Sequence, residues 1–396
     1  MRVLQLCTLY KPGGIQRHVI DLATGLCALG DEVWIAGTRG AWMNEEIDPR
    51  FCDIDVHNVA GEGGTAFRRL WTALKSGLAL RKILKEEKIE LVHAHESAPA
   101  LVAWVATRGL RVISSRMDSS GGSEITAKRK VPVLVTFHGA EPERIAEFGR
   151  IARMTADLVI TPSHNSARDL IEQGGVPAAR VKVMGLGVHQ KPRPLVAEVE
   201  ALRHNLLGSD GTRLVVTVAR LAFQKGIDHL IDAAKLALAV DPGLRFVVVG
   251  DGPLRDDAEK WRVQAGVGDA VRFIGHSDNA PLYMAAADLF FLSSRWESLP
   301  ITIVEAFQQG TPVLATDTAG VVELVDDSVG SVVPVGDVAA MARELNAITS
   351  DGDRLGRLAQ AALDRAAEER FSPPHVHAAF DALYTDMLSR PEWRRT

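Results

Sequence analysis

The chain is short of cysteine, of long apolar runs and of any dominant charge, and each shortage excludes something. Its three cysteines, Cys7, Cys27 and Cys52, are scattered through 396 residues. They lack metal-ligand spacing, and their odd number argues against a disulfide framework, so a reducing, cytoplasmic setting is expected. No stretch approaches the roughly 20 apolar residues that span a bilayer. Met1-Arg2 runs straight into a short apolar segment, without the features of a secretion signal. A soluble protein is expected, attached at most to a membrane surface. A net charge of −5 gives no global attraction to nucleic acid or anionic lipid, so any basic surface must be local. Internal repeats are absent beyond one duplicated plan, and there is no low-complexity tract.

That plan is an alternation of strands and helices through both halves. In the first half, Val3–Thr8, Glu32–Gly37, Leu91–Ala94, Val133–Phe137 and Leu158–Thr161 read as strands, with helices at Gln16–Leu29, Phe67–Glu87 and Ala98–Thr107. The second half restarts at Arg213–Val218 and a helix over Ile227–Val240. Strands at Phe246–Val249, Val271–Ile274, Leu289–Leu292, Val313–Ala315 and Ser331–Val333 follow. Short Val, Ile and Leu runs joined by helical crossovers imply parallel sheets buried on both faces. At this length two domains are expected, with a hinge over Lys182–Pro194. A second break at Phe371-Ser372-Pro373-Pro374 precedes a last amphipathic helix, His375–Leu388. Ligands of doubly wound sheets sit beyond the carboxyl ends of the strands.

Chemistry-bearing positions fall at those ends. Between Arg295 and Pro312, Glu297 and Glu305 stand with seven residues between them across a loop-to-helix junction. Ser298-Leu299-Pro300 opens the helix, and Gly310 with Pro312 stops it. A helix N-terminus suits a phosphate, and carboxylates beside it can accept hydrogen bonds from sugar hydroxyls. Two isolated glutamates would read as an exposed acid and an acid favoured by the helix dipole, and it is the agreement of other positions that reverses this reading. Gly13-Gly14, between a strand and a helix, permits close approach of backbone to a phosphate. Arg220 and Lys225 follow the first strand of the second half, as a planar fork and a point charge fit to grip a diphosphate. Val249-Gly250-Asp251-Gly252-Pro253 lacks the third glycine of a dinucleotide fingerprint, so its glycines read as structural with a minor binding role. His93 and His95 share a strand face without an evident third metal ligand, and His375 and His377 diverge on their helix. Asp53-Ile54-Asp55 imitates a metal-binding D-x-D but alternates like an edge strand. His138 ends a buried strand.

Together these positions resemble the retaining glycosyltransferases of family 4, whose E-x7-E signature matches Glu297 and Glu305. The family's Arg-Leu, spacer and Lys-Gly pattern matches Arg220 to Gly226, and Ala156–Ser163 and Gly310–Val313 agree as well. The resemblance covers nearly the whole chain. It implies an α/β GT-B fold: two doubly wound, Rossmann-like parallel-sheet domains facing a central cleft. The acceptor domain would be 1–187, completed by the C-terminal helix 373–396 crossing back to it, and the nucleotide-sugar donor domain 188–372. The activity implied is transfer of a hexose-type sugar from a UDP- or GDP-sugar to an acceptor hydroxyl, with retention, in glycan, glycolipid or glycoside synthesis. No cofactor and no metal are expected. The resemblance assigns His138 and Glu297 to the reacting sugar, Arg220 and Lys225 to the diphosphate, and Glu305 to the ribose. It extends the donor set to Gly14, Gly250, Gly252, Ile274, Leu299, Pro300, Ile301 and Thr302.

Two stretches depart from the family pattern. Gly185-Leu186-Gly187-Val188-His189 replaces the usual Pro-Asn-Gly-Val-Asp, and Glu297-Ser298-Leu299-Pro300 replaces Glu-Gly-Phe-Gly. Gly109–Lys130 is longer and more polar than usual, a candidate acceptor contact. Phe67–Lys88 is basic and amphipathic: it reads as a solvated helix face or as a peripheral contact with anionic membrane. Nucleic acid is not expected as a partner. The alternatives to a transferase are a nucleotide-sugar epimerase of the same fold and a non-catalytic nucleotide- or carbohydrate-binding protein.

Overall fold

The computed structural model describes residues 1–10, 13–40, 49–60, 66–117, 124–208 and 212–389. Parts of the sequence expectations, Lys11-Pro12 before the first glycine turn, 118–123 within the polar segment and the tail 390–396, lie outside the described residues. The chain divides into two compact units. One comprises Met1–Gly187 together with the chain from Pro373 onward, and the other is Val188–Ser372.

The first unit contains β1 (Arg2–Leu9), β2 (Glu32–Thr38), β3 (Arg50–Asp53), β4 (Leu91–His95), β5 (Arg111–Met117), β6 (Glu124–Lys130), β7 (Val133–Thr136), β8 (Leu158–Thr161) and β9 (Val181–Val183). Seven of these form one sheet in the order β3-β2-β1-β4-β7-β8-β9, all neighbours parallel. Every residue of β4, β7 and β8 is buried, which is why β7 and β8 are apolar up to a closing threonine rather than alternating, while β4 buries His93 and His95 among its apolar residues. Period two still sorts the side chains between faces. Leu4, Leu6, Val92, Ala94, Val133 and Val135 enter one core. Val3, Cys7, Leu91, Leu134, Leu158 and Ile160 enter the other, against the helix Gly14–Ala28 and the last helix, Pro373–Ser389. The last helix contributes Val376, Phe380, Leu383, Tyr384 and Met387, so the end of the chain completes a core begun by its start. Pro373 and Pro374 occupy its first turn, where a missing N–H is harmless, so the helix begins earlier than expected.

The second unit contains β10 (Arg213–Val218), β11 (Leu244–Val249), β12 (Val271–Gly275), β13 (Leu289–Leu292), β14 (Val313–Thr316) and β15 (Gly330–Val333). Their order is β12-β11-β10-β13-β14-β15, again all parallel. In each sheet the chain builds outward on one side, then returns to build on the other. The topological switch points lie between β1 and β4 and between β10 and β13.

Two local expectations change. The edge strand β3 ends at Asp53, and Asp55 instead accepts hydrogen bonds from the backbone and side chain of Asn58, opening a short helix. The polar segment contains an antiparallel hairpin, β5 with β6, registered from Arg111↔Lys130 to Met117↔Glu124. Its strands mix charged and small residues, so no apolar period announced them.

Candidate active site

In the first unit the loops after β1, β4 and β7 gather at the switch point. The helix Gly14–Ala28 begins straight after the Gly13 turn, with no side-chain cap and no acid in its first turn. Gly14 is exposed, and a β-carbon there would meet nothing within 4 Å. The packing of this unit therefore does not demand a glycine at 14.

β4 delivers His93 and His95 on one face, their ring centroids 4.2 Å apart. They take no part in a metal cluster among the described residues; both are held by a hydrogen-bonded circuit. His95 Nδ1 lies 3.0 Å from His138 Nε2, and His95 Nε2 lies 3.0 Å from Gln5 Oε1. Gln5 Nε2 donates to the Tyr384 hydroxyl at 3.1 Å. That hydroxyl sits 2.6 Å from His93 Nδ1, and His93 Nε2 sits 2.6 Å from Thr136 Oγ1. His18 packs edge-on against both His95 and His138, its Nε2 buried without a hydrogen-bond partner. Burial pushes His18 down to about 4, with the His377 charge adding to the effect. Burial likewise holds His93, His95 and His138 well below the usual imidazole range, so all four rings are neutral near pH 7.

Glu96 anchors the backbone of this cluster. It has a positive φ of 80°, rare for a residue with a side chain. Its N–H donates to the Thr136 carbonyl at 3.0 Å, and its Oε1 accepts the His138 N–H at 2.7 Å. Burial pushes its carboxyl up to about 7, against the pull of the His138 amide and of Arg144.

In the second unit the loops after β10 and β13 are stapled together. Arg295 grips Asp228 with both arms at 2.9 and 2.6 Å, donates to the Phe223 carbonyl at 2.9 Å and stacks on the Phe223 ring. Gln224 Nε2 donates to the Trp296 carbonyl, and Ser293 Oγ donates to the carbonyls of Lys225 and Gly226. These contacts bring Lys225 to Glu297, and the two form an ion pair. Glu297 also accepts from Ser294 Oγ at 2.7 Å and is only 8% exposed. The two residues assigned separately to diphosphate and sugar are thus one unit. The seven positions between the expected carboxylates gave no hint of this, because the pairing comes from the loop after β10. Arg220 differs: it is exposed and, among the described residues, makes no ion pair.

Beyond Glu297 the backbone is locked from below, since a β-carbon at Gly320 would lie 1.7 Å from the Ser298 carbonyl oxygen. Pro300 then caps the helix Ile301–Gln308, whose start has no side-chain cap and no acidic residue in its first turn. Leu299, Ile301 and Thr302 are half-buried at this start, and half-buried Glu305 lies one turn in. Gly250 and Gly252 support the other side. A β-carbon on either would strike the carbonyl oxygens of Ala219 and Leu221, at 1.9 and 2.4 Å, so both glycines are required by the loop that carries Arg220. Ile274, 37% exposed, is the last residue but one of the edge strand β12, whose terminal Gly275 carbonyl accepts from the Gly250 N–H at 2.8 Å.

Gln5, His18, Glu96, Tyr384, Ser294 and Arg295 were not singled out from the sequence. The only advance signal was His93 and His95 sharing a strand face.

Two doubly wound parallel sheets, each with its polar residues at the switch point, define the GT-B class of nucleotide-dependent transferases. The description "Glycosyl transferases group 1" matches residues 198–365, and "Glycosyltransferase Family 4" matches residues 12–191. The chain is 30% identical over 377 residues to a D-inositol 3-phosphate glycosyltransferase of Nocardia farcinica, covering 90% of this chain and 81% of that one. It is 26% identical over 383 residues to the lipopolysaccharide core biosynthesis glycosyltransferase LpsE of Rhizobium meliloti, covering 96% and 97%. Among solved structures, Alr3699/HepE of Anabaena in complex with UDP-glucose superposes with a TM-score of 0.78 at 20% identity, covering 98% of this chain and 100% of that one. The chain belongs to the family 4, group 1 glycosyltransferases, and it is a transferase enzyme of GT-B fold.

Proposed function

We propose that this enzyme moves a hexose-type sugar from a UDP- or GDP-sugar to an acceptor hydroxyl, with retention and without a metal. One observation carries the reading. An exposed Arg220, without an ion pair among the described residues, the Lys225–Glu297 couple and a helix start without a side-chain cap all stand at the β10/β13 switch point. That is cationic and dipolar provision for a diphosphate with a carboxylate beside it. Arg220, Lys225 and the first amides of Ile301–Gln308 stabilise the leaving diphosphate as its charge develops, the role a metal fills elsewhere. Glu297 orients Lys225 and offers its remaining lone pairs to a sugar hydroxyl. Glu305 accepts from the ribose hydroxyls. A retaining glycosidase would need a carboxylate nucleophile. Here Glu297 is already committed to Lys225 and Ser294, which favours departure of the diphosphate from the face the acceptor attacks. Gly14 keeps the role of a diphosphate contact and His138 that of a sugar contact. Relatives named for lipopolysaccharide core and phosphatidyl-myo-inositol glycosylation support a glycan or glycolipid acceptor.

The helix Ala66–Glu86 supports a lipid-linked acceptor in particular. Ala73, Ser76, Leu80 and Leu84 are buried, yet Phe67, Leu70, Trp71, Leu74 and Leu78 are exposed. Their spacing puts these five on one face. Arg68, Arg69, Lys75, Arg81, Lys82 and Lys85 accompany them against a single acid, Glu86. An apolar face rimmed by cations fits the surface of an anionic membrane. Flotation with anionic vesicles at low and high salt tests this; absence of binding at low salt rejects it.

The transfer itself is tested with a donor panel scored by thermal shift, then by the anomeric configuration of the product made with EDTA present. Product of inverted configuration, or activity abolished by EDTA, would overturn the mechanism.

A further inference from the structure

The hydrogen-bonded circuit in the first unit has a direction, and that direction reaches His138. A side-chain amide is the one member whose two ends differ in kind: its oxygen only accepts and its nitrogen only donates. Gln5 turns its oxygen to His95 Nε2 and its nitrogen to the Tyr384 hydroxyl. His95 must therefore carry its proton on Nε2. Since His95 is neutral, its Nδ1 is a bare acceptor. The partner of that acceptor is His138 Nε2, at 3.0 Å, which must then be the N–H of its ring. His138 Nδ1 is left with a lone pair. On the other arm, Tyr384 accepts from Gln5 and so donates to His93 Nδ1, and His93 Nε2–H donates to Thr136. Reversing the Gln5 amide would reverse each of these protons.

We infer that Gln5, held by Tyr384 of the last helix, fixes the tautomer of His138 through His95, so that His138 Nδ1 is the atom presented as a hydrogen-bond acceptor. Gln5, His95 and Tyr384 are positioning residues, and none need touch a substrate. The ligand recognised by a bare ring nitrogen is a hydroxyl that donates, as a sugar hydroxyl does. An imidazole N–H at the same place would instead seek an oxyanion or a carbonyl. Orientation of a ring nitrogen by a second partner is a general way of selecting the form of a histidine. The neutral, buried surroundings keep the choice between two tautomers rather than between charge states. This inference rests on the reading of His138 as a group at the transferred sugar, but the tautomer can be measured without any sugar.

The experiment uses the full-length protein labelled with 15N at histidine, free of ligand at pH 7.5. Two-dimensional spectra that correlate ring nitrogens with ring protons report which nitrogen is protonated. The expected result is His138 with Nε2 protonated and Nδ1 bare, assigned by its loss in His138→Ala. In Gln5→Met the His138 nitrogen shifts should move toward the averaged values of mixed tautomers. Tyr384→Phe should move them in the same direction by less, because Gln5 keeps its contact with His95. Turnover should fall at least fivefold in Gln5→Met while the donor KM stays within twofold, a split that general loosening would not give. A His138 protonated at Nδ1 in the parent overturns the inference. So do His138 shifts unmoved in both variants, each checked for a parent-like melting profile. Shifts that move while turnover holds would leave the relay standing and overturn the assignment of His138 to transfer.

Discussion

The two units reach a polar strand-end site by opposite electrostatic routes. The first assembles neutral groups: four imidazoles, an amide, a phenol and a threonine hydroxyl, all joined or packed ring to ring. The second assembles charges that cancel in pairs, Arg295 with Asp228 and Lys225 with Glu297, and among the described residues leaves Arg220 uncancelled. A neutral cluster can tell hydroxyls apart by donor and acceptor pattern but holds an anion weakly. A paired cluster with one spare cation does the reverse. The same topology thus supports either kind of recognition, and the residues after each strand decide which.

The largest effect that can break this comparison is acidification. His18, His93, His95 and His138 are neutral when folded and bind protons when unfolded, so the stability they lend is complete above about pH 6.5 and is lost as pH falls below it. Glu96 works the other way. Its raised folded value means it favours folding below its unfolded value and loses that contribution as pH rises through about 7. Four protons taken up on unfolding against one released make stability fall as the pH drops from roughly 6 to 5. The carboxylates of the second unit behave differently. Arg295 draws Asp228 below its ordinary value, and hydrogen bonds from Ser328 and Arg365 bring Asp326 to about 2. Their contribution persists until the pH drops below the ordinary aspartate range. Amide exchange followed from pH 7 to 5 should show the first unit loosening while the second holds. Loosening that begins in the second unit would contradict the contrast.

Next in size is the ion pair. Glu297→Ala strands Lys225 at a mostly buried position and should cost about 3 kcal/mol of stability in urea unfolding. Replacing both partners, Lys225→Met with Glu297→Leu, should cost less than the single change. If the double replacement costs as much as the sum of the singles, the pair is not coupled. Arg220→Ala provides the matching contrast. With no partner to strand, it should leave stability unchanged yet weaken nucleoside diphosphate binding by roughly 1.5–3 kcal/mol, read by calorimetry. Glu305→Ala should weaken the same ligand by about 2 kcal/mol. It should also erase the difference between ribose and 2′-deoxyribose forms, and a surviving difference would remove Glu305 from the ribose.

The last contrast is between two glycines, and it contains the smallest stability change, at position 14. Gly250→Ala puts a methyl group into the Ala219 carbonyl at a φ of 140° and should destabilise by about 2 kcal/mol or more. Gly14→Ala, opening into free space, should change stability by less than about 0.5 kcal/mol. Donor affinity should nevertheless fall, and an unchanged affinity would show that the turn at 14 meets no ligand.

Much of this molecule was legible in its sequence because buried parallel strands advertise themselves. Strands such as Val133–Thr136, apolar but for its last residue, and Leu289–Leu292, wholly apolar, lie where the runs predict. The second-unit site was readable for a related reason: Arg220, Lys225, Glu297 and Glu305 sit in two short stretches with fixed spacing. The first-unit circuit was not. Gln5 lies inside an apolar strand and Tyr384 inside an apolar helix, and their meeting across 379 positions depends on how a helix docks. Local pattern carries no information about such a meeting. The hairpin β5–β6 was missed for the opposite reason, because its few apolar residues, Val112, Ile113, Met117 and Ile125, form no continuous run or clear alternation.

The place of Tyr384 in the chain has a consequence for synthesis. It is carried by Pro373–Ser389, which follows the whole of the second unit in sequence yet closes the core that holds Val3 and Cys7. As the polypeptide leaves the ribosome, Val188–Ser372 is contiguous and can fold as soon as it emerges. The first unit, although made earlier, stays open along one face until its final helix arrives. Its histidine circuit is therefore among the last parts to be assembled, and a chain terminated just before residue 373 carries a complete anion grip in one unit and an unfinished core in the other.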